Sequence, residues 1–255
     1  MRARFTLAPL SRLCAAVGMI FWIASASAEQ VLIMGMDDWP PFRMSTENGF
    51  SGLDLDVMAE AARRLDIEID TQRYPWGRSL KSMENGSIDL MSGLAYREAR
   101  ARYILYTDTP YYSCSTVFYT SAGKASSLTV YEDLAQMSVG YVLHSAYFPR
   151  FDQDEALNKI GMAEEISLLE MLKNKRLDAI IGTDCQIDYQ IRSEELGGVI
   201  EKADYRPGNQ VDLYFGISRK SDFADRVDEV NAVIAELVEN GFVADAAEAY
   251  YGSDN

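Results

Sequence analysis

The sequence predicts an α/β protein built from two lobes of similar design, and three observations carry that prediction. Short apolar runs of strand length alternate with stretches whose apolar residues fall at helical spacing, the pattern of helices layered on a parallel sheet. The segment Asn85-Gly-Ser-Ile-Asp89-Leu-Met-Ser-Gly93 recurs without gaps as Asn174-Lys-Arg-Leu-Asp178-Ala-Ile-Ile-Gly182, with Asn, Asp and Gly at identical spacing. Turn chemistry alone favours Asn and Gly between a helix and a strand; the other reading is two similarly built lobes facing each other. Finally, 255 residues with 48% hydrophobic and 25% charged suit a folded chain with room for one large domain or two of ordinary size.

Residues 1–28 stand apart from this pattern. Arg2, Arg4 and Arg12 give a basic start, Leu13 to Ala24 runs apolar without a charge, and Ala26-Ser27-Ala28 supplies small residues for cleavage before Glu29. The apolar run falls short of the ~20 residues needed to span a bilayer, so a cleaved secretion signal is expected, leaving a soluble periplasmic protein that does not span the membrane. Its removal takes away three Arg and no acid, and the formal charge moves from -15 to -18. Such acidity argues against nucleic acid or an anionic membrane surface as partner. One His and three Cys leave little for a zinc site, and no phosphate loop, dinucleotide fingerprint or metal-ligand cluster is present. No cofactor is expected. Cys14 leaves with the signal; Cys114 and Cys185 remain, in a compartment where they can pair if their Cα atoms approach to ~5.5 Å.

Along the mature chain, Val31–Met36 predicts a strand, followed by a loop stiffened by Pro40-Pro41. Leu55, Met58, Ala62 and Leu65 mark one helix face at steps of three and four. Ile67–Arg73 alternates like a strand, a helix is expected over Arg78–Glu84 with a stop at Asn85-Gly86, and Ile88–Met91 is a further strand. The pattern returns with a strand at Met137–Leu143, a helix at Leu168–Asn174 and a strand at Leu177–Ile181. Val211–Ser218 adds a strand. Ser221-Asp222 is expected to cap a helix with Val227, Val230, Ile234 and Leu237 on its apolar face, and Phe242–Tyr251 forms a last helix. Ligands bind outside the carboxyl ends of strands in such folds, which points to Asp38-Trp39, Gly93–Arg100, His144–Tyr147 and Thr183-Asp184.

Several of these segments, in this order, resemble the family-3 periplasmic solute-binding proteins, receptors of polar amino-acid ABC transporters. They are Asp38-Trp39-Pro40-Pro41-Phe42, Gly49-Phe-Ser-Gly-Leu-Asp-Leu-Asp56, Gly86-Ser-Ile-Asp89, Arg100, Pro110-Tyr-Tyr112, Val139-Gly140, Arg176-Leu-Asp-Ala179 and Asn240-Gly241. The resemblance implies a type II-like clamshell: two α/β lobes joined by two crossover strands and closing over a ligand. Lobe one would comprise 29–113 plus 209–255 and lobe two 114–208, with crossovers near Cys114–Thr120 and Gln210–Gly216. It further implies a monomer that delivers a small polar solute, an amino acid or related carboxylate, to an ABC permease.

Within the implied cleft, Arg100 is the candidate for a carboxylate, because a guanidinium offers two parallel charge-assisted bonds. The competing role for Arg100 is a surface residue in the run Arg97-Glu-Ala-Arg100-Ala-Arg102. Gly93 allows close approach to backbone. Trp39 and Trp76 resemble the family's two aromatic or apolar walls, against core packing as the ordinary fate of tryptophan. Ser145 or Tyr147 is placed to donate from lobe two. Two departures stand out. Leu94, Ala95 and Tyr96 lie where amino-acid binders usually carry Ser or Thr, and the family's acidic ammonium partner falls on Thr183, with Asp184 one place further. Asp38, Trp39, Trp76, Gly93, Ala95, Arg100, Ser145 and Asp184 are therefore the candidate ligand contacts, with a Cys114–Cys185 bridge left open. No catalytic residue is singled out. The enzyme alternative is a periplasmic cyclohexadienyl dehydratase on the same scaffold, and a third reading is an accessory receptor for a membrane sensor or periplasmic dehydrogenase.

Overall fold

The computed structural model describes residues 30–252, so the expected signal segment at 1–28 lies outside the described residues. Strand β1 (Gln30–Met36) lies between β4 (Ile67–Arg73) and β5 (Leu90–Ala95), all parallel. A short hairpin, β2 (Met44–Thr46) and β3 (Gly49–Ser51), leads into helix α1 (Leu53–Leu65), and α2 (Trp76–Asn85) follows β4. The chain then passes through α3 (Glu98–Ala101) and β6 (Ile104–Tyr106) into the long strand β7 (Tyr112–Ser121).

The second half contains β8 (Ser138–Val142), α4 (Pro149–Gln153), β9 (Asn158–Met162), α5 (Glu165–Lys173), β10 (Ala179–Thr183), α6 (Asp184–Ser193) and β11 (Ile200–Lys202). Strand β12 (Gln210–Ser218) returns to the first sheet, and α7 (Val227–Glu239) and α8 (Phe242–Tyr251) close the chain. Strand β7 belongs to both sheets. Its Tyr112–Ser115 half pairs antiparallel with β12, and its Thr116–Thr120 half pairs with β10. Because side chains alternate along a strand, Phe118 and Tyr119 enter cores on opposite faces of the second sheet, one with Phe151 and Val139, the other with Leu168 and Ile187. The first sheet is likewise covered on both faces, by α1, α7 and α8 on one and by α2 on the other. Helices on both faces explain why the inner strands β5 and β10 read as apolar runs, while the edge strand β4 alternates.

Among the boundaries that shift, α5 begins at Glu165 and β10 runs Ala179–Thr183, and two further shifts have a local cause. The strand expected at Ile88–Met91 begins instead at Leu90, because the Asp89 carboxylate takes over the pairing that an extension of the strand would make. Asp89 N donates to Ile33 O at 2.8 Å, and Ile33 N donates back to Asp89 Oδ2 at 2.8 Å. Ser221 does not cap α7. Its hydroxyl accepts from Phe223 N at 3.1 Å and donates to Asp89 Oδ1 at 2.6 Å, a short 3₁₀ turn at Ala224–Arg226 follows, and α7 starts at Val227.

The repeated segment has a structural counterpart. Asp178 closes the start of its strand as Asp89 does: Asp178 N donates to Ser138 O at 3.0 Å, and Ser138 N donates to Asp178 Oδ2 at 2.8 Å. Sequence-equivalent aspartates thus clamp equivalent strand starts in the two halves.

Candidate functional site

Helix α1 is placed by a backbone device. Leu53 N and Asp54 N donate to Pro41 O and Phe42 O, and a Cβ on Gly52 would lie 2.4 Å from Phe42 O, so only glycine fits there at φ +124°. This brings the fully buried Asp54 under the loop that carries Trp39. Arg43 Nη1 donates to Asp54 Oδ2 at 2.7 Å and Arg43 Nη2 to Asp37 Oδ1 at 2.8 Å, while Ser92 and Tyr111 hydroxyls donate to Asp54 at 2.6 and 2.5 Å. Burial works against the Arg43 charge, but Asp37 and Asp54 outweigh it and raise its pKa. Burial likewise raises the Asp54 pKa, opposed by Arg43 and the two hydroxyls. Arg43 stands over the Trp39 ring, 4.9 Å from its centroid, and Trp39 stacks on Phe42 at 4.3 Å. Trp39 and Arg43 also exchange backbone hydrogen bonds at 2.8 and 3.0 Å.

Above this platform opens a cavity with about 90 Å³ of accessible volume. Seven of the sequence candidates line it together: Asp38, Trp39, Trp76, Gly93, Ala95, Arg100 and Ser145. The Asp38 carboxylate is already engaged, by Ser45 N at 2.7 Å and by an ion pair with Arg73. Trp76 opens α2 and packs with Leu80, Met83 and Ile88, so its body is core while its buried Nε1 has no hydrogen-bond partner. Arg100 lies 5.7 Å from the Trp76 ring centroid. Trp76 is thus a floor beneath Arg100 rather than a free wall opposite Trp39.

Asp184 is the exception. It is not among the lining residues, and its carboxylate accepts from Ser115 N and Cys185 N, both at 2.8 Å. As the first residue of α6 it is turned toward the crossover strand, where unpaired backbone N–H groups satisfy it. Beside it Cys114 and Cys185 form a disulfide, with Cα atoms 5.6 Å apart, which ties β7 to α6. Thr183 lines the cavity with its buried hydroxyl lacking a partner.

The charges facing the cavity are unusual. Arg100 is 8% exposed, and burial lowers its pKa despite nearby Tyr106 and Tyr103. Its guanidinium donates only to carbonyl oxygens, His144 O at 2.7 Å and Ala95 O at 3.3 Å, and among the described residues no carboxylate pairs with it. On the other side Glu165, the first residue of α5, is 9% exposed; burial pushes its carboxyl up to about 8, and its Oε1 has no partner. Reading the sequence did not find Glu165 or Arg43. Glu164-Glu165 at a helix start looks like ordinary helix-dipole chemistry, and Arg43 beside Pro-Pro-Phe carries no spacing signal.

This geometry defines a class: a two-lobed α/β protein whose buried, charge-bearing cavity lies between its halves. The chain belongs to the bacterial extracellular solute-binding proteins, family 3, whose profile matches residues 32–253. A probable histidine-binding protein of Neisseria gonorrhoeae is 25% identical over 170 residues, which cover 64% of this chain and 62% of that relative. The chain therefore matches somewhat less than two thirds of that relative's length. The L-cystine-binding protein TcyJ of Escherichia coli K12 is 20% identical over 227 residues, 88% of this chain and 83% of the relative. Among solved structures, a mutant of ArgBP from T. maritima superposes with a TM-score of 0.77 at 20% identity, covering 88% of this chain and 96% of that one. The two-lobe fold is thus shared, and no described helix is long and apolar enough to cross a membrane.

Proposed function

We propose that the protein is a periplasmic receptor that captures a small solute bearing a carboxylate, an amino acid or a close relative of one, and delivers it to an ABC permease. The observation that carries this reading is Arg100, a buried guanidinium held by carbonyl oxygens alone and facing a cavity. A buried charge without a counter-ion is costly, and a ligand carboxylate would supply two charge-assisted bonds. Relatives named for binding histidine and L-cystine support the amino-acid class. The expected cleaved signal supports the periplasm, and the receptor is proposed to work as a monomer. The lobe limits we assign are 29–113 plus 209–255 and 114–208; a change of partners along β7 between Ser115 and Thr116, two residues beyond the assigned limit, supports a division in this region.

Thermal-shift measurements with the common L-amino acids, L-cystine, putrescine and succinate test the reading. A solute that binds the folded state raises its stability by RT ln(1 + [L]/Kd). A carboxylate-bearing solute should raise the melting temperature, and Arg100→Ala should abolish the rise. If only putrescine shifts it, or if Arg100→Ala leaves the shift intact, the reading fails. A second reading, a dehydratase on the same scaffold, is favoured by Glu165, since a carboxyl that holds its proton near neutral pH can serve as a general acid. Product formation from prephenate or arogenate would establish it in place of the receptor.

A further inference from the structure

Thr183 lines the cavity at the end of β10, and Asp184, the next residue, is turned away to the crossover strand. Lobe two nevertheless brings two carboxyls to the cavity, Glu164 at the rim and the buried Glu165 at the start of α5. Glu165 projects from the start of α5 over Gly182, and a Cβ on Gly182 would lie 2.5 Å from Glu165 Oε1, so the glycine clears the space that the carboxyl occupies. Glu165 Oε1 and Thr183 Oγ1 are buried side-chain atoms without hydrogen-bond partners, and both residues line the cavity with Arg100. Buried polar atoms are satisfied in the great majority of cases, so two of them lining a cavity whose other side carries a guanidinium without a carboxylate partner mark a recognition surface.

We propose that Glu165 is the acidic anchor of the site, taking the cationic group of the solute whose carboxylate Arg100 holds. This rests on the receptor reading and specifies its ligand class, a zwitterion or a cationic amino acid rather than a simple carboxylate. The anchor comes from a helix start in place of the strand end.

A consequence follows for protons. Among the described residues no cation offsets the burial of Glu165, whose carboxyl is pushed up to about 8 by desolvation alone. Tyr147 is near it from the loop after β8, and Tyr119 on β7 lies further off with its hydroxyl donating to Asp188 Oδ1 at 2.9 Å. Burial raises both phenols, with Asp188 adding most to Tyr119 and Glu165 to Tyr147, and both stay neutral at working pH. Lys159 on β9 donates instead to Phe151 O at 2.9 Å, and the His144 ring lies against Gly77 on α2. Across the cavity Arg43 is committed to Asp37 and Asp54, and Arg100 to His144 O. Glu164, the preceding residue, and Asp38, paired with Arg73, add negative charge at the rim. An incoming ammonium or guanidinium therefore meets a protonated Glu165 at pH 7 and displaces its proton to solvent. Capture is linked to proton release, and affinity falls by up to about tenfold for each pH unit below 8.

Isothermal titration calorimetry of the full mature chain with L-arginine, L-histidine, L-glutamine and L-cystine, in buffers of different ionisation enthalpy, counts that proton. The expected result is that the amino acid that binds releases up to one proton per site at pH 7. Glu165→Gln should bind at least about tenfold more weakly and release none, and Glu165→Asp should recover part of both. Binding to wild type without proton release overturns the proposal while leaving the receptor reading in place, and that outcome needs no variant to fold. The same holds if Glu165→Gln binds with wild-type affinity and proton count. If none of the four amino acids binds wild type, the amino-acid reading falls and the anchor falls with it.

Discussion

Arg100 Nη2 donates to His144 O at 2.7 Å, so a side chain of the first half holds the backbone of the second across the cavity mouth. Arg97 and Asp152 form an ion pair at 3.1 Å across the same divide. The residue we assign to the ligand carboxylate is thus also a latch between the lobes, and a ligand that recruits one of its N–H groups acts on closure at the point where the halves meet.

Arg100→Ala should therefore remove binding and loosen closure together. Truncating one member of a buried charged pair costs about 2–5 kcal/mol, which calorimetry would read as an affinity loss of thirtyfold or more. Arg100→Lys should restore little, because an ammonium cannot reproduce the planar fork.

The raised Glu165 carboxyl makes the stability of the ligand-free protein depend on pH. Its pKa is about 8 in the folded protein against an ordinary 4.5, so the folded state holds a proton that the unfolded chain gives up. Stability should accordingly fall as pH rises from about 4.5 to about 8 and level off above that. Glu165→Gln removes this slope, and at pH 8 the ligand-free variant should be more stable than wild type by a few kcal/mol at most, order of magnitude. Urea denaturation of both proteins at pH 5, 6.5 and 8 reads the difference.

Asp54→Asn should be among the most damaging single changes in the first lobe. It leaves the Arg43 charge buried with one counter-ion fewer and gives Tyr111 and Ser92 a weaker acceptor, a loss of about 3–5 kcal/mol. Chemical denaturation should show a lower midpoint with an unchanged slope.

Gly93→Ala tests the floor of the site. A methyl there would lie 2.7 Å from Arg43 Nη1 and 2.9 Å from the Trp39 ring, at a backbone φ of +66°. The expected cost is about 1–3 kcal/mol, and the displaced Trp39 should weaken solute binding; tryptophan fluorescence during titration would follow it.

Reduction tests the Cys114–Cys185 bridge. With its ends 71 positions apart in sequence, it restricts the unfolded chain by about 2–4 kcal/mol. Melting in reductant, or the Cys185→Ser variant, should lower the melting temperature while leaving the cavity's charges in place.

The sequence and structure agree most closely where a local signal coincides with a tertiary need. Gly86 ends α2 because helix stops favour a left-handed residue, and Asp89 and Asp178 stand at matching places because each closes a strand. Arg100 was legible only through the ordered motifs around it; on its own, three arginines in six residues read as a solvated face. Glu165 was not legible. Its distinctive property is the absence of partners, which arises when α5, β7 and β10 pack together and leaves no trace in residue order. Asp184 misled for the complementary reason: it lies next to the expected place, but the α6 helix turns it toward Ser115 N.

The twin aspartates at the strand starts bear on how a hinged receptor can work. A molecule that opens and shuts needs softness at the hinge and stiffness elsewhere, or ligand binding would be absorbed as distortion instead of movement. By clamping β5 to β1 and β10 to β8 with a carboxylate as well as backbone bonds, Asp89 and Asp178 stiffen each shell at the end of the strand remote from the cavity. The same small device is used once per shell, and β7, which pairs with β12 in one shell and β10 in the other, joins the two.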